Sequence, residues 1–180
     1  KNLFLLDGNS GTVEDLKGRL HNAAVYRGPD ALPFNDSSVD YSHCSHMIEH
    51  LYHDELHKLL VEMDRVLRDG GVLVVSAPML WGQFYGDLTH VRPYHHEVFL
   101  HYLCGQDKIR SAGVISDKYA VLDLAYRYTA SGIGEDWEST FWLVDMFVRC
   151  IRAVGSVLRI RKCSKNAYTI VLKKNGNLKQ

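Results

Sequence analysis

Ten histidines in 180 residues are the first chemical signal, and nine of them fall in two groups. His43, His46, His50, His53 and His57 form one, and His90, His95, His96 and His101 the other. If the chain is helical around the first group, His46, Glu49 and His50 stand at i, i+3 and i+4 on one face of one turn. Two imidazoles and a carboxylate so placed could hold a metal, or supply a general base for a hydroxyl nucleophile. The competing reading of His50 is structural, a ring bonded to neighbouring backbone or to the crossover loop. The stretch Phe84-Tyr85-Gly86-Asp87-Leu88-Thr89-His90-Val91-Arg92-Pro93-Tyr94 carries the second signal. Asp87 and His90 are spaced to orient one another, with the imidazole able to take a proton from an acceptor hydroxyl. Arg92 suits a phosphate or carboxylate. Trp81, Phe84, Tyr85 and Tyr94 could stack on a ring or simply pack a lid. A loop pinned by internal Asp87–Arg92 and Thr89–His90 hydrogen bonds is the competing reading, and a metal stays undetermined.

Composition narrows the classes. The 21 basic and 21 acidic side chains cancel, so no global field favours a polyanion, and a nucleic-acid partner is not expected. The longest apolar regions, Val72–Trp81 and Phe141–Ile151, are interrupted and shorter than the roughly 18–20 residues of a membrane span. Cys44, Cys104, Cys150 and Cys163 form no CxxC pair, which argues against structural zinc and a disulfide framework. Reduced thiols in a cytoplasmic protein are the simplest expectation. The length suits one domain over residues 1–180.

These side chains need a scaffold to bring them together. Leu3–Leu6 reads as a short buried strand ending at Asp7-Gly8-Asn9-Ser10-Gly11, with a helix over Val13–Leu20 and a second strand over Ala23–Tyr26. Asn35-Asp36-Ser37-Ser38 is turn chemistry before a third strand, Val39–Cys44. The apolar residues Leu56, Leu59, Leu60, Met63, Val66 and Leu67 make the stripe of an amphipathic helix over Asp54–Arg68, which Gly70-Gly71 should end. Val72–Ala77 is a near-continuous buried strand stopped by Pro78. Strand, helix, glycine turn and strand predict a parallel βαβ crossover. Beyond it, His95–Cys104 and Glu138–Val154 read as helices. Val157–Lys162 and Ala167–Lys173 read as an antiparallel pair joined tightly at Ser164-Lys165-Asn166. In such sheets ligands bind beyond the carboxyl ends of the strands, which selects Asp7-Gly8, Gly28–Leu32, Cys44–His50 and Pro78–His90.

The run Leu32-Pro33-Phe34 … Asp40 … Glu49-His50-Leu51 … Arg65-Val66-Leu67 … Gly70-Gly71 resembles the class I S-adenosylmethionine-dependent methyltransferases. More narrowly, it is similar to their methyltransferase-11-like group. The resemblance implies a Rossmann-like, mostly parallel sheet with helices on both faces and an antiparallel strand near the C-terminus. It implies S-adenosylmethionine as cofactor, its ribose on Asp7 beside Gly8 and its adenine walled by Asp30, Ala31 and Leu32. Cys44, Ser45 and His46 would border the methionine end. Asp87-Leu88-Thr89-His90-Val91-Arg92 resembles a D-x-T-H-x-R motif at the substrate mouth of this group. His90, oriented by Asp87, or His50 would be the base, and Tyr85, Arg92 and Tyr94 would meet the acceptor. The implied reaction is methyl transfer to an oxygen or nitrogen of a small molecule or glycan in biosynthesis. A non-catalytic methyltransferase-fold partner is the alternative, and a homodimer is left open. Two departures stand out. The group's first strand and glycine-rich loop belong before Asp7, so the expectation is either a chain trimmed at its N-terminus or a degenerate fold that binds the cofactor poorly. Gly28 stands where many relatives carry an acidic residue, for which Asp30 could substitute.

Overall fold

The amphipathic stripe that marks the crossover helix is the element around which the rest packs. We describe a computed structural model that covers residues 2–19, 22–106, 113–132 and 140–176. Strand β1 (Leu5–Asp7), helix α1 (Ser10–Arg19) and strand β2 (Ala23–Val25) come first, with β1 and β2 pairing in parallel. Strand β3 (Val39–Ser45), a single 3₁₀ turn (Ile48–His50), helix α2 (His53–Val66) and strand β4 (Leu67–Pro78) follow. A second 3₁₀ turn (Phe84–Gly86) and helix α3 (Glu97–Tyr102) lead to strand β5 (Tyr119–Gly132), helix α4 (Trp142–Val157) and strand β6 (Arg161–Lys174). The larger sheet has the order β3-β4-β6-β5, with β3 parallel to β4 and the other two pairings antiparallel. This is the expected α/β arrangement. The crossover is present as predicted, in register from Tyr41 opposite Val72 to Ser45 opposite Ser76.

Three expectations change. Helix α2 ends at Val66, four residues before the glycines, because Gly70 and Gly71 serve the strand instead. Val39 pairs with Leu67 and Tyr41 with Val72, so the intervening residues of β4 bulge out of the ladder. Gly70 takes a positive φ of 79°, and a side chain on Gly71 would lie 2.8 Å from the Arg68 carbonyl oxygen. The closing hairpin is also different. Val157 ends α4, and Arg161–Lys174 is one continuous strand through Ser164-Lys165-Asn166, which contain no glycine or proline to force a turn. It pairs with β4 on one side and on the other with β5, which sequence analysis left unassigned. The helix expected from Glu138 begins at Trp142, and Glu138 itself, like Leu20 at the end of α1, lies outside the described residues.

Leu59, Leu60, Leu67, Leu73, Ile170 and Leu172 are each almost wholly buried, seating α2 against the sheet. Lys174 is buried too, and three oxygens satisfy it: Nζ donates to Asp64 O (2.5 Å), Leu67 O (3.0 Å) and Asp64 Oδ1 (3.0 Å). Tyr119 donates its hydroxyl to the same carboxylate at 3.0 Å. These bonds fasten the far ends of β5 and β6 to α2. Helix α4 contrasts with this, since it buries Val148 and Gly155 while Trp142, Phe147 and Val157 stay exposed.

Leu59→Ala should cost about 2–5 kcal/mol, through lost burial and the cavity left behind. Val61→Ala on the exposed side of the same helix should shift stability by only about 0.5 kcal/mol. Urea denaturation of the two variants checks this. A second expectation concerns acid. His96 is buried between Tyr126 and Tyr168, and its Nδ1 has no protein partner among the described residues. Burial chiefly, with neighbouring His95, holds its pKa below the ordinary value. The unfolded chain therefore binds a proton that the folded chain refuses. Stability should be full above about pH 6.5 and fall as pH drops below that value. His96→Phe should flatten that acid-side slope in urea titrations; an unchanged slope would assign it to other groups.

Candidate active site

The ladder between β3 and β4 runs one bond past the strand, where His46 N donates to Ser76 O at 2.9 Å. The chain then turns sharply. His46 adopts a positive φ of 49°, and Ile48–His50 form a lone 3₁₀ turn instead of the α-helical turn that was expected. His46, Glu49 and His50 consequently do not share one face. His46 Nδ1 turns onto Glu49 Oε1 at 3.2 Å, while His50 Nδ1 reaches across to Thr89 O at 3.0 Å.

Glu49 anchors the loop that follows β4. Its carbonyl oxygen accepts from Val91 N (2.8 Å) and Arg92 N (3.2 Å), fixing the end of the segment that follows β4. Its side chain is only 1% exposed, and Oε2 has no protein partner among the described residues. The loop is organised from within by Asp87, whose Oδ1 accepts from Thr89 N (2.9 Å) and Thr89 Oγ1 (2.7 Å). These two bonds, with His90 adding to them, hold the Asp87 carboxyl below its usual range. The Asp87–Arg92 and Thr89–His90 pairings considered above are replaced by this Asp87–Thr89 motif.

His90 Nδ1 lies 2.7 Å from Phe84 O, and its ring packs on Phe84 at 4.7 Å and beside His50 at 5.1 Å. A carbonyl oxygen only accepts, so Nδ1 is the donor in both His50 and His90, and each Nε2 presents its lone pair. Asp87 Oδ2 stands 3.9 Å from His90 Nε2, too far for a hydrogen bond. Tyr85 is exposed, its ring edge-on to Phe84. Arg92 carries its guanidinium over the Tyr94 ring, 5.9 Å from its centre. Tyr94 itself is buried and commits its hydroxyl to Leu51 O at 3.0 Å, which places it beneath the loop.

The nucleotide-side candidates sit at the other strand ends. Asp7 closes β1, and its Oδ1 accepts from Asn9 N at 2.7 Å, leaving the second oxygen outside that turn. Gly8 and Ala31 are exposed. Asp30, also exposed, accepts the Tyr26 hydroxyl on its carbonyl at 2.7 Å. Leu32 is buried, and its N donates to Glu62 Oε2 at 2.8 Å. Arg65 completes that clamp. Its guanidinium donates to both Glu62 oxygens (2.8 and 2.7 Å), to Asp36 Oδ1 (2.7 Å), and to the carbonyls of Leu32 (3.1 Å) and Phe34 (3.0 Å). The hydrogen bonds from Arg65, followed by that from Leu32 N, hold the Glu62 carboxyl below its usual range. The pair was visible in sequence only as charges three residues apart on an amphipathic helix.

Cys44 is buried, and burial followed by the nearby Glu49 charge pushes its thiol up to about 12. It is a small packing residue, not a thiolate. Ser45 and His46 are exposed and line a cavity of about 450 Å³ with Ser76, Tyr126, Arg127 and Thr169. Tyr126 and Arg127 could not be found from sequence without strand β5.

Residues 1–75 match a family model described as a methyltransferase domain. Among curated proteins, the chain is 29% identical over 114 residues to methionine aminopeptidase 1 of Dictyostelium discoideum. That alignment takes in 63% of this chain and 27% of the relative, so the chain spans about a quarter of that protein's length. Among solved structures it is similar to a SAM-dependent methyltransferase from Archaeoglobus fulgidus, with a TM-score of 0.57 and 20% identity. The match covers 94% of this chain and 75% of that one. It is equally similar in TM-score (0.57) to a Haloferax volcanii methyltransferase in complex with the Trm112 methyltransferase activator. Identity there is 14%, with 95% and 71% of the two chains covered. At these identities the likeness establishes the fold.

The state of the thiols is directly testable. Brief iodoacetamide treatment at about pH 8 should modify the exposed Cys150 and Cys163 and leave Cys44 intact until urea is added. Modification of Cys44 in the folded protein, read by peptide mass spectrometry, would contradict its buried, protonated state.

Proposed function

From a chain with the class I S-adenosylmethionine-dependent methyltransferase fold, whose first 75 residues belong to the methyltransferase-11 family, we infer an enzyme that methylates an oxygen or nitrogen of a small molecule or glycan. S-adenosylmethionine supplies a methyl group already activated on sulfur. The protein's task is to align the acceptor and remove its proton. In this reading the free oxygen of Asp7 meets the ribose, Gly8, Asp30, Ala31 and Leu32 border the nucleoside, and Ser45 and His46 border the methionine end. The cavity beside Ser45 and His46 has the size of a small-molecule site. Residues 1–180 act as one domain, in the cytoplasm. No helix among the described residues is long and apolar enough to cross a membrane.

The observation that carries the reading is the fixed tautomer of His90. With Nδ1 donating to Phe84 O, Nε2 is left as a proton acceptor beside an ionised Asp87. His90 Nε2 would take the proton that the acceptor oxygen or nitrogen gives up as the methyl group leaves sulfur with the bonding pair, and Asp87 would steady the resulting imidazolium. His50 is the second candidate base, though its bond to Thr89 O also ties the 3₁₀ turn to the loop. Tyr85 and Arg92 offer an exposed ring and a cation to the acceptor.

A non-catalytic partner is the second reading, favoured by the exposed apolar residues of α4. The Haloferax structure, a methyltransferase in complex with an activator, is an instance of this fold with a protein partner.

His90→Ala should lower turnover by roughly 10²–10⁴-fold with cofactor affinity nearly intact. Asp7→Ala should weaken S-adenosylmethionine binding by about 1–3 kcal/mol, the loss of its ribose hydrogen bonds. Calorimetry and methyl-transfer assays on the natural full-length protein separate the readings. Absence of cofactor binding would favour the partner, and full turnover in His90→Ala would move the base to His50.

A further inference from the structure

The two histidines that face each other across the 3₁₀ turn and the loop are joined by a third group. Ligand atoms of Glu49, His50 and His90 all lie within 4.8 Å of one another. Each is prepared in the way metal ligands are. A ligating imidazole characteristically donates its other N–H to a carbonyl or carboxylate, which fixes the tautomer and aims the remaining lone pair. His50 does this through Thr89 O and His90 through Phe84 O. Glu49 uses Oε1 to accept from His46, while Oε2, fully buried, has no protein partner among the described residues. A buried carboxylate oxygen with no partner is costly. A bound cation between it and two imidazole lone pairs removes that cost. Asp87 Oδ2, 3.9 Å from His90 Nε2, adds a second negative charge at the rim.

We propose that Glu49, His50 and His90 form a binding site for a divalent transition-metal ion of the zinc class. Two imidazole nitrogens and one carboxylate oxygen suit Zn²⁺, Co²⁺ or Fe²⁺, whereas Mg²⁺ prefers oxygen ligands alone. Bonds of about 2.0–2.2 Å require the three groups to draw slightly closer than they stand here. The set differs from the His46–Glu49–His50 face considered from sequence. His46 supports Glu49 from behind, and the third ligand comes from the loop 40 residues on. Three protein ligands leave a position for a water or an acceptor oxygen, whose proton the ion makes more acidic. With an ion bound, His90 no longer takes a proton, so the metal replaces it as the activating group. Binding of the ion itself does not rest on the methyl-transfer reading, since it needs no cofactor.

The test is titration calorimetry of the metal-free full-length protein with Zn²⁺, alongside Co²⁺ absorption in the visible range, both without S-adenosylmethionine. The expected result is one ion per chain, not displaced by Mg²⁺. Glu49→Gln and His90→Phe should each lose more than the roughly 10–100-fold in affinity that supporting residues cost. His90→Phe keeps a ring against Phe84 and His50, and circular dichroism with urea midpoints checks that both variants fold. His101→Ala, outside the ligand set, should bind normally. No binding, or full affinity in Glu49→Gln or His90→Phe, would overturn the site. Preferential Mg²⁺ binding would overturn the ligand assignment. Cofactor calorimetry on the same variants keeps a failed metal site distinct from a failed methyl-transfer reading.

Discussion

One carbonyl oxygen sets the relation between the two halves of the candidate site. Glu49 O receives the amides of Val91 and Arg92, which holds the end of a loop rooted in β4 against a turn rooted in β3. Together with the bond from His50 Nδ1 to Thr89 O, that junction brings His50 and His90 together from separate segments. The parallel pairing of β3 and β4 makes the junction available, because it brings both strands to an end at the same edge of the sheet. The sharp geometry at His46 then bends the chain away from β4 so that the Glu49 carbonyl faces the returning loop. A helical turn there would have spent that carbonyl on its own backbone.

The other side of the edge depends on Arg65. Five hydrogen bonds from one guanidinium bind Glu62, Asp36 and two carbonyls of the Leu32–Phe34 segment. Planar, multiply bonded arginine gives a rigid join that a lysine would not reproduce. Helix α2 thus serves both purposes. Its apolar stripe seats it on the sheet, and its partly buried charges hold a segment that has no strand pairing of its own. The helix transmits the position of the core to a loop at the surface.

Much of this was legible in the residues, for reasons that differ by element. The stripe from Leu56 to Val66 and the run from Val72 to Ala77 are periodic patterns with one structural solution, and both appear where expected. Strand β5 was not, because Leu122 and Tyr128 are exposed and its alternation is broken by register shifts after Val121 and Arg127. Its loss from the sequence reading also removed the outer partner of β6, and a polar Ser164-Lys165-Asn166 stretch then read as a turn. At the site, residue types pointed to His90, Asp87 and His50. Their hydrogen-bond partners could not be read, since Thr89 O and Phe84 O are backbone atoms that no side-chain pattern reveals. The same limit hid the burial of Tyr94, whose aromatic character fits a core and a substrate wall equally well.

Between its two anchors, the loop after β4 leaves a short tip. Leu88 is fully exposed, Tyr85 largely so, and Gly86 has room for a side chain with nothing within 4 Å. The anchors themselves, Phe84 O on one side and Val91 and Arg92 on the other, use main-chain atoms that survive almost any change at the tip. Such a division lets Tyr85, Gly86 and Leu88 drift in sequence, while Asp87 and Thr89 keep the turn and the imidazoles keep their positions. Among descendants of one ancestral protein, variation would then collect at those three positions and leave the paired imidazoles behind them unchanged.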